Sequence, residues 1–281
     1  MTTLLPVIWD GLALNTGGPD PATGLILVVE DIAGWKDSPP LNGNDIDRAL
    51  SDGSAYGPKL LQARQVIIQG AVITADDPAD LPPFRDKLAG KAAARQPAVL
   101  QVGDLAGRTL TATVRADSDA FKWTFLSQTA FRWQVTLMAA DPRLYDAAVQ
   151  SVKLSNAAGG SGWTYSRVYP RSYGASAPNS AVLANGGNAA APVTALYTGD
   201  LAAGNRLTDG TNSIFLAALA AGEQVYVQTD RLVAYAPGGA SRQSYILPGS
   251  APMSVPPGGA TWTLLGTGGG NVQLAWQGAW T

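Results

Sequence analysis

The chain has no cysteine and no histidine among its 281 residues. Without cysteine there is no disulfide and no thiolate metal site, and the redox compartment leaves no mark on the sequence. Without histidine there is no Ser-His-Asp triad and no imidazole base. Glutamate is nearly missing too, with only Glu30 and Glu223. A glycosidase pair has to come from aspartates such as Asp200, Asp209 or Asp230, and nothing in their spacing brings two together. The expectation is a protein that is not an enzyme and carries no cofactor. Charged residues make up 14% of the chain, against about 25% in an average soluble domain. Their place is taken by small and turn-forming residues, including 32 glycines and 19 prolines. That composition favours short strands joined by many turns over long helices. It fits a subunit packed in an assembly, and equally an ordinary soluble β protein.

The net charge of −2 hides an asymmetry. Residues 1–147 hold 13 basic and 17 acidic residues, net −4, and residues 148–281 hold 6 and 4, net +2. Neither half has the basic excess of a nucleic-acid binder, so sequence-specific nucleic-acid binding is not expected. The start, Met1-Thr-Thr-Leu-Leu-Pro6, lacks a basic region and an apolar core, so it does not read as a signal peptide. The longest apolar stretch, Ile214 to Ala221, is shorter than the roughly 20 residues a bilayer span needs, and no membrane insertion is expected. These features predict a chain made in the cytoplasm that stays soluble, or leaves only on lysis.

What is present points to an all-β protein with one short helix. Leu110, Ala112, Val114 and Ala116 alternate with polar neighbours, and Phe131, Trp133, Val135 and Leu137 repeat the pattern. Such alternation marks a half-buried strand, because successive side chains point to opposite faces. Further strands are expected at Val7–Trp9, Leu25–Asp31, Gln65–Ile73, Ala98–Val102 and Phe121–Leu126. The helix is expected over 81–89, with Asp80 as N-cap, Pro82 and Pro83 in the first turn, and Gly90 at the end. Leu81, Phe84 and Leu88 share its buried face. Between Gly34 and Gln62 lies a long irregular loop, of a length that is usually functional. Asn42-Gly-Asn-Asp-Ile-Asp47 within it superficially resembles a calcium loop, but lacks the glycine and closing glutamate at the required offsets. No metal site is assigned there.

A Gly/Ala/Ser/Asn/Tyr-rich stretch, residues 148–185, reads as a linker or extended arm after the first domain of residues 1–147. It contains Tyr165, Arg167, Tyr169, Arg171 and Tyr173, a strip that reads either as a surface gripping a neighbour or as an ordinary edge strand. Residues 186–281 follow as short strands separated by turns at Asp209-Gly210, Ala221-Gly222, Pro237-Gly-Gly239 and Pro256-Pro-Gly-Gly259, the spacing of a β-sandwich. Trp262, Trp276 and Trp280 are candidates for a sugar-stacking platform there, though such residues are more often core or interface. The competing function is therefore a carbohydrate-binding adhesin acting through this sandwich.

The landmarks in order are Gly34-Trp35, Arg64-Gln-Val-Ile-Ile-Gln-Gly70, the helix with Leu81, Phe84, Arg85 and Leu88, and Ala140-Asp-Pro-Arg-Leu-Tyr145. Then come Tyr169-Pro-Arg-Ser-Tyr-Gly174, Gly186-Gly-Asn-Ala-Ala-Ala-Pro192, the run Gly222 to Arg231, and Leu247 to Trp280. Taken together the chain resembles the distal tail protein family of long-tailed, non-contractile bacteriophages. The resemblance implies a tail-tube-like first domain, a β-barrel or sandwich flanked by one helix, and an outer galectin-like sandwich. It also implies assembly as a homohexameric ring joining the tail tube protein to the tail-tip hub protein. Receptor-binding proteins and the tape measure protein are further implied partners, and the virion tail tip the implied location. DNA passes through such a ring without specific binding. Rings need heterologous contacts, and the Gly34–Gln62 loop, with Asp45 and Asp47, is the candidate element reaching a neighbour.

Overall fold

The computed structural model describes residues 5–20, 23–43, 45–47, 52, 54–74, 77–94, 96–104, 106–156 and 178–281. The chain divides into two compact units, Met1–Ala147 and Ala148–Trp280. The Tyr/Arg strip from Tyr165 to Tyr173 lies outside the described residues.

The strands of the first unit are β1 (Val7–Trp9), β2 (Leu12–Ala13), β3 (Leu25–Ala33), β4 (Leu41–Asn42), β5 (Ile46–Asp47), β6 (Ser54–Ala55), β7 (Leu60–Leu61), β8 (Arg64–Thr74), β9 (Ala98–Gly103), β10 (Thr109–Ser127), β11 (Ala130–Ala139) and β12 (Leu144–Asp146). Its helix is α1 (Leu81–Ala93). The main sheet is antiparallel in the order β2-β1-β9-β10-β11-β8-β3, with β12 added beside β10. It is open at β2 and β3, so of the two expected forms, barrel or sandwich, the described residues form no closed barrel.

The alternation read in the sequence sets which face is buried. Phe131, Trp133, Val135 and Leu137 on β11 and Val66, Ile68 and Val72 on β8 are all at most 1% exposed. Opposite Trp133 in the ladder stands Gly70. A Cβ there would lie 2.5 Å from the Val28 carbonyl oxygen and 2.6 Å from Trp133 Cζ2, so the indole occupies the space a side chain would fill. The helix covers this face with Leu81, Phe84 and Leu88.

Several boundaries differ from expectation. Asp80 makes no capping bond; Asp77 instead accepts from Ala79 N–H and opens a short 3₁₀ turn, Pro78–Asp80, that leads into α1. The helix runs on through Gly90 to Ala93, since a glycine inside a helix costs only about 1 kcal/mol. Lys91 reaches Asp10 from that extra turn, at 2.6 Å. Leu110–Ala116 and Phe121–Leu126 are not separate strands but one strand, β10, interrupted by an irregularity between Ala116 and Phe121 with Asp119 at φ 59°.

The loop expected between Gly34 and Gln62 is not irregular throughout. It is an arm in which β4 pairs with β7 and β5 pairs with β6, both antiparallel.

The second unit holds β13 (Gln150–Ser155), β14 (Ser180–Leu183), β15 (Val193–Thr198), β16 (Asn205–Thr208), β17 (Ser213–Leu216), β18 (Gln224–Gln228), β19 (Val233–Tyr235), β20 (Ala260–Leu265), β21 (Asn271–Trp276) and β22 (Ala279–Trp280). One sheet runs β13-β21-β15-β18-β19, the other β14-β20-β16-β17. Each buries alternate residues, Val193, Ala195 and Tyr197 on one and Leu207, Ile214 and Leu264 on the other, which is the pattern of a β-sandwich. The stretch 148–185 is therefore not simply a linker. Its two ends, β13 and β14, are strands. No helix among the described residues is long and apolar enough to cross a membrane.

Candidate functional site

The residues singled out in the sequence go to different places. Trp262 is fully buried and Trp276 is 5% exposed, with its Nε1 donating to the Ala184 carbonyl at 2.7 Å. Both belong to the sandwich core, so neither offers a ring face for a sugar; Trp280 is half-buried. Asp45 is tied within the arm, accepting from Gly57 N–H at 3.2 Å and pairing with Lys59 at 3.3 Å. Of Asp47 only the backbone is described, paired with Ser54. Among the described residues no three carboxylates come together as a metal site.

What the fold does assemble are two apolar surfaces on the first unit. The first is the arm. Leu41 and Leu61 are cross-strand partners and so share one face, while Leu60, opposite Asn42, points to the other. They are 58%, 42% and 72% exposed, and Tyr56 further out is 93% exposed. Apolar side chains on both faces of a two-stranded ribbon leave it without a core of its own.

Its root, by contrast, is fixed. Arg64 is 1% exposed and donates from Nε to the Pro142 carbonyl at 2.8 Å. From Nη1 it donates to the carbonyls of Gly34, Trp35 and Asp37 at 2.8, 2.8 and 2.6 Å. Burial pulls the guanidinium below its usual pKa, an effect that the charge of Asp37 partly opposes. Gly34 at φ 78° completes the root; a Cβ there would lie 2.0 Å from the Gln65 carbonyl oxygen. Gly34, Trp35 and Arg64 were legible as landmarks, but not as parts of one clasp.

The second surface is a groove of about 520 Å³ between the start of α1 and the far end of the β10–β11 hairpin. Leu81, Pro82 and Arg85 form one wall, and Trp123, Phe125 and Phe131 the other. Trp123 pairs across the ladder with Trp133, and Phe125 with Phe131, so both lie on the core face of the sheet. Yet Trp123 is 38% and Phe125 61% exposed, because the helix stops short of covering them. Arg85 lies 5.1 Å above the Trp123 ring, and Phe125 meets that ring edge-on at 4.8 Å. The irregularity in β10 hid this surface, since it breaks the alternation between Ala116 and Phe121.

At the other end of β11, beside Arg64, the Ala140-Asp-Pro-Arg-Leu-Tyr145 motif closes the unit. Asp141 takes a two-pronged contact from Arg143, at 3.0 and 3.1 Å, and a hydrogen bond from Tyr145 Oη at 2.6 Å. Burial pushes the carboxyl pKa up, but the bonds from Arg143 and Tyr145 outweigh it and hold the group below the usual aspartate range. A carboxyl depressed in the folded state contributes stability above its unfolded pKa and loses it as pH falls through the folded value. Asp141→Asn is expected to cost about 1–2 kcal/mol at neutral pH. It should also flatten the decline below pH about 4, as read from urea midpoints across pH.

No protein-family model and no curated protein sequence matches the chain. Among solved structures it is similar to the Dit protein of phage SPP1, described as a paradigm of the hub adsorption apparatus of phages infecting Gram-positive hosts. The TM-score is 0.67 at 13% identity, over 99% of this chain and 100% of that one. The phage P2 baseplate in its activated conformation with Ca is similar at TM-score 0.49 and 8% identity, over 97% and 98% of the two chains. The same baseplate with Sr gives 0.48 and 9%, over 96% and 97%. On the likeness to SPP1 Dit, the chain has an all-β, Dit-like fold.

Proposed function

We propose that the chain is a structural, non-catalytic subunit of a phage tail tip. In this reading it forms a closed homohexameric ring between the tail tube and the tail-tip hub. The observation that carries the reading is the likeness to Dit, which spans both units, 99% of this chain and 100% of that one. The physical chemistry agrees. Each first unit presents two different apolar surfaces, which is what a heterologous, ring-closing contact requires. The net −4 of residues 1–147 suits a ring through which DNA passes without sticking, because like charge disfavours binding. Tube, hub, receptor-binding and tape measure proteins are the partners of this role, the virion tail tip its place, and the host cytoplasm the site of its assembly. The adhesin alternative loses support because two of its three tryptophans lie in the sandwich core.

The test is the solution mass by light scattering after gel filtration, with electron microscopy of the same fractions. Six copies of the 29.0 kDa chain give about 174 kDa and ring-shaped particles. A monomer at every concentration, with no rings on isolated tail tubes either, overturns the reading.

A further inference from the structure

We infer that a cavity at the C-terminal end of α1 binds the N-acetyl group of an acetylated amino sugar. The cavity, of about 110 Å³, lies where the end of α1 meets the end of β1 and the start of β9. It shares no residue with the apolar groove or the arm, and the inference goes beyond the ring reading without depending on it. Trp9 lines the cavity and is 2% exposed, and its indole Nε1–H has no hydrogen-bond partner. An indole N–H can only donate, and a buried donor left unpaired is costly, so the position calls for an acceptor oxygen. One water would supply that oxygen. The cavity, however, is several times the about 10–15 Å³ that one water needs, which leaves room for a small organic group.

The rim sets the charge of that group. Lys91 Nζ donates to the Asp10 backbone carbonyl at 2.8 Å and to Asp10 Oδ2 at 2.6 Å. These are the charged residues lining the cavity, and their charges cancel. The last carbonyls of α1, which have no partner within the helix, add partial negative charge at its end. A carboxylate or phosphate is opposed by Asp10 and those carbonyls, and an ammonium by Lys91. A neutral ligand meets neither penalty. The walls set its shape, since Ala94, Pro97, Ala98, Val114 and Ala116 are all small and apolar and suit a methyl group. An acetamido group joins these requirements in one unit. Its carbonyl accepts from Trp9 Nε1–H, its methyl packs on the alanines, and its N–H donates to Asp10 or to a helix-end carbonyl. The primary amide of a partner's asparagine or glutamine has the carbonyl but lacks the methyl. The sugar ring stays at the mouth, where the exposed Gln96 offers its hydroxyls both a donor and an acceptor.

The experiment is saturation-transfer difference NMR of the full-length chain with N-acetylglucosamine, with glucose and glucosamine as controls. The method reads a ring as well as a monomer. Transfer should be strongest at the acetyl methyl, saturate at a sugar concentration on the order of 1 mM, and be absent for both controls. Two variants locate the site. Trp9→Phe removes the donor and keeps an aromatic ring, and should weaken affinity about tenfold, the scale of one lost hydrogen bond. Because Trp9 is buried, the second variant is Ala94→Phe, at an exposed position on the cavity wall. Its bulk should abolish transfer to the methyl while the melting temperature stays that of the parent.

No transfer to the methyl, or equal transfer to glucose, overturns the inference, and the cavity then holds solvent only. Binding of parental strength in both folded variants also overturns it, because the sugar then sits elsewhere. Each of these results leaves the ring reading intact, since that reading stands on particle mass and shape.

Discussion

Replacing Arg64 by methionine is expected to destabilise the first unit by about 3 kcal/mol, with a fall in Tm of about 10 °C by calorimetry. Methionine has a similar length and no donors. The substitution removes a buried charge, which on its own would favour the variant. What it leaves behind decides the sign. The carbonyls of Pro142, Gly34, Trp35 and Asp37 all receive from this one guanidinium, and Trp35 is 2% exposed, so water does not simply replace the lost bonds. Orphaned acceptors cost about 1–3 kcal/mol each where they stay dry, and less at the exposed Asp37. Arg64→Lys should recover less than half, because an ammonium on a flexible stem cannot reproduce the planar fork that reaches both Pro142 and the arm's root. A methionine variant within 1 kcal/mol of the parent would mean that these carbonyls are solvated and the clasp is not what orients the arm.

The same residue shows how far the sequence carries. Arg64 opens a strand whose alternation predicts its buried partners, Val66, Ile68 and Val72, and that inference is local, from a period of two. The role of its own side chain is not local. It depends on residues 27 to 78 positions away, brought together only by the sheet order β11-β8-β3. The arm falls between these cases. Its length marked it as unusual, but pairs as short as Leu41–Asn42 with Leu60–Leu61 leave no periodicity to read. The helix was legible from Leu81, Phe84 and Leu88, and Asp80 does stand at its N-cap position, but the capping bond expected of it is absent, and Asp77 caps the 3₁₀ turn that precedes the helix.

The tryptophans divide on the same principle. Three on the second unit drew attention as a possible platform, yet strand phase puts Trp262 and Trp276 inside, in line with Leu264 and Leu274 two residues away. Trp123 went unmarked, because after the irregularity in β10 its phase is known only once the cross-strand register with Trp133 is known. Burial follows strand phase, but exposure of a core-phase residue depends on where the covering helix stops. That is a tertiary fact, and it is the one on which the groove depends.

The contact between Gly70 and Trp133 turns this into the second large expectation. Gly70→Ala should destabilise the first unit by about 3 kcal/mol in urea unfolding, in the upper range for overpacking. Trp133→Ala should cost about 3–5 kcal/mol through the cavity it leaves. The two residues face each other in the ladder, so their effects should not add. In the double variant the new methyl finds the space the indole has vacated, which removes its collision with Cζ2. It does not remove the approach to the Val28 carbonyl, 2.5 Å from the added Cβ, because that atom belongs to the neighbouring strand β3. The double variant should therefore fall short of the sum by about 1 kcal/mol, without returning to the cost of Trp133→Ala alone. Strict additivity would mean that the β3 backbone by itself demands the glycine. Complete recovery would mean that the indole alone does, and that β3 yields freely at the bulge between Val29 and Asp31.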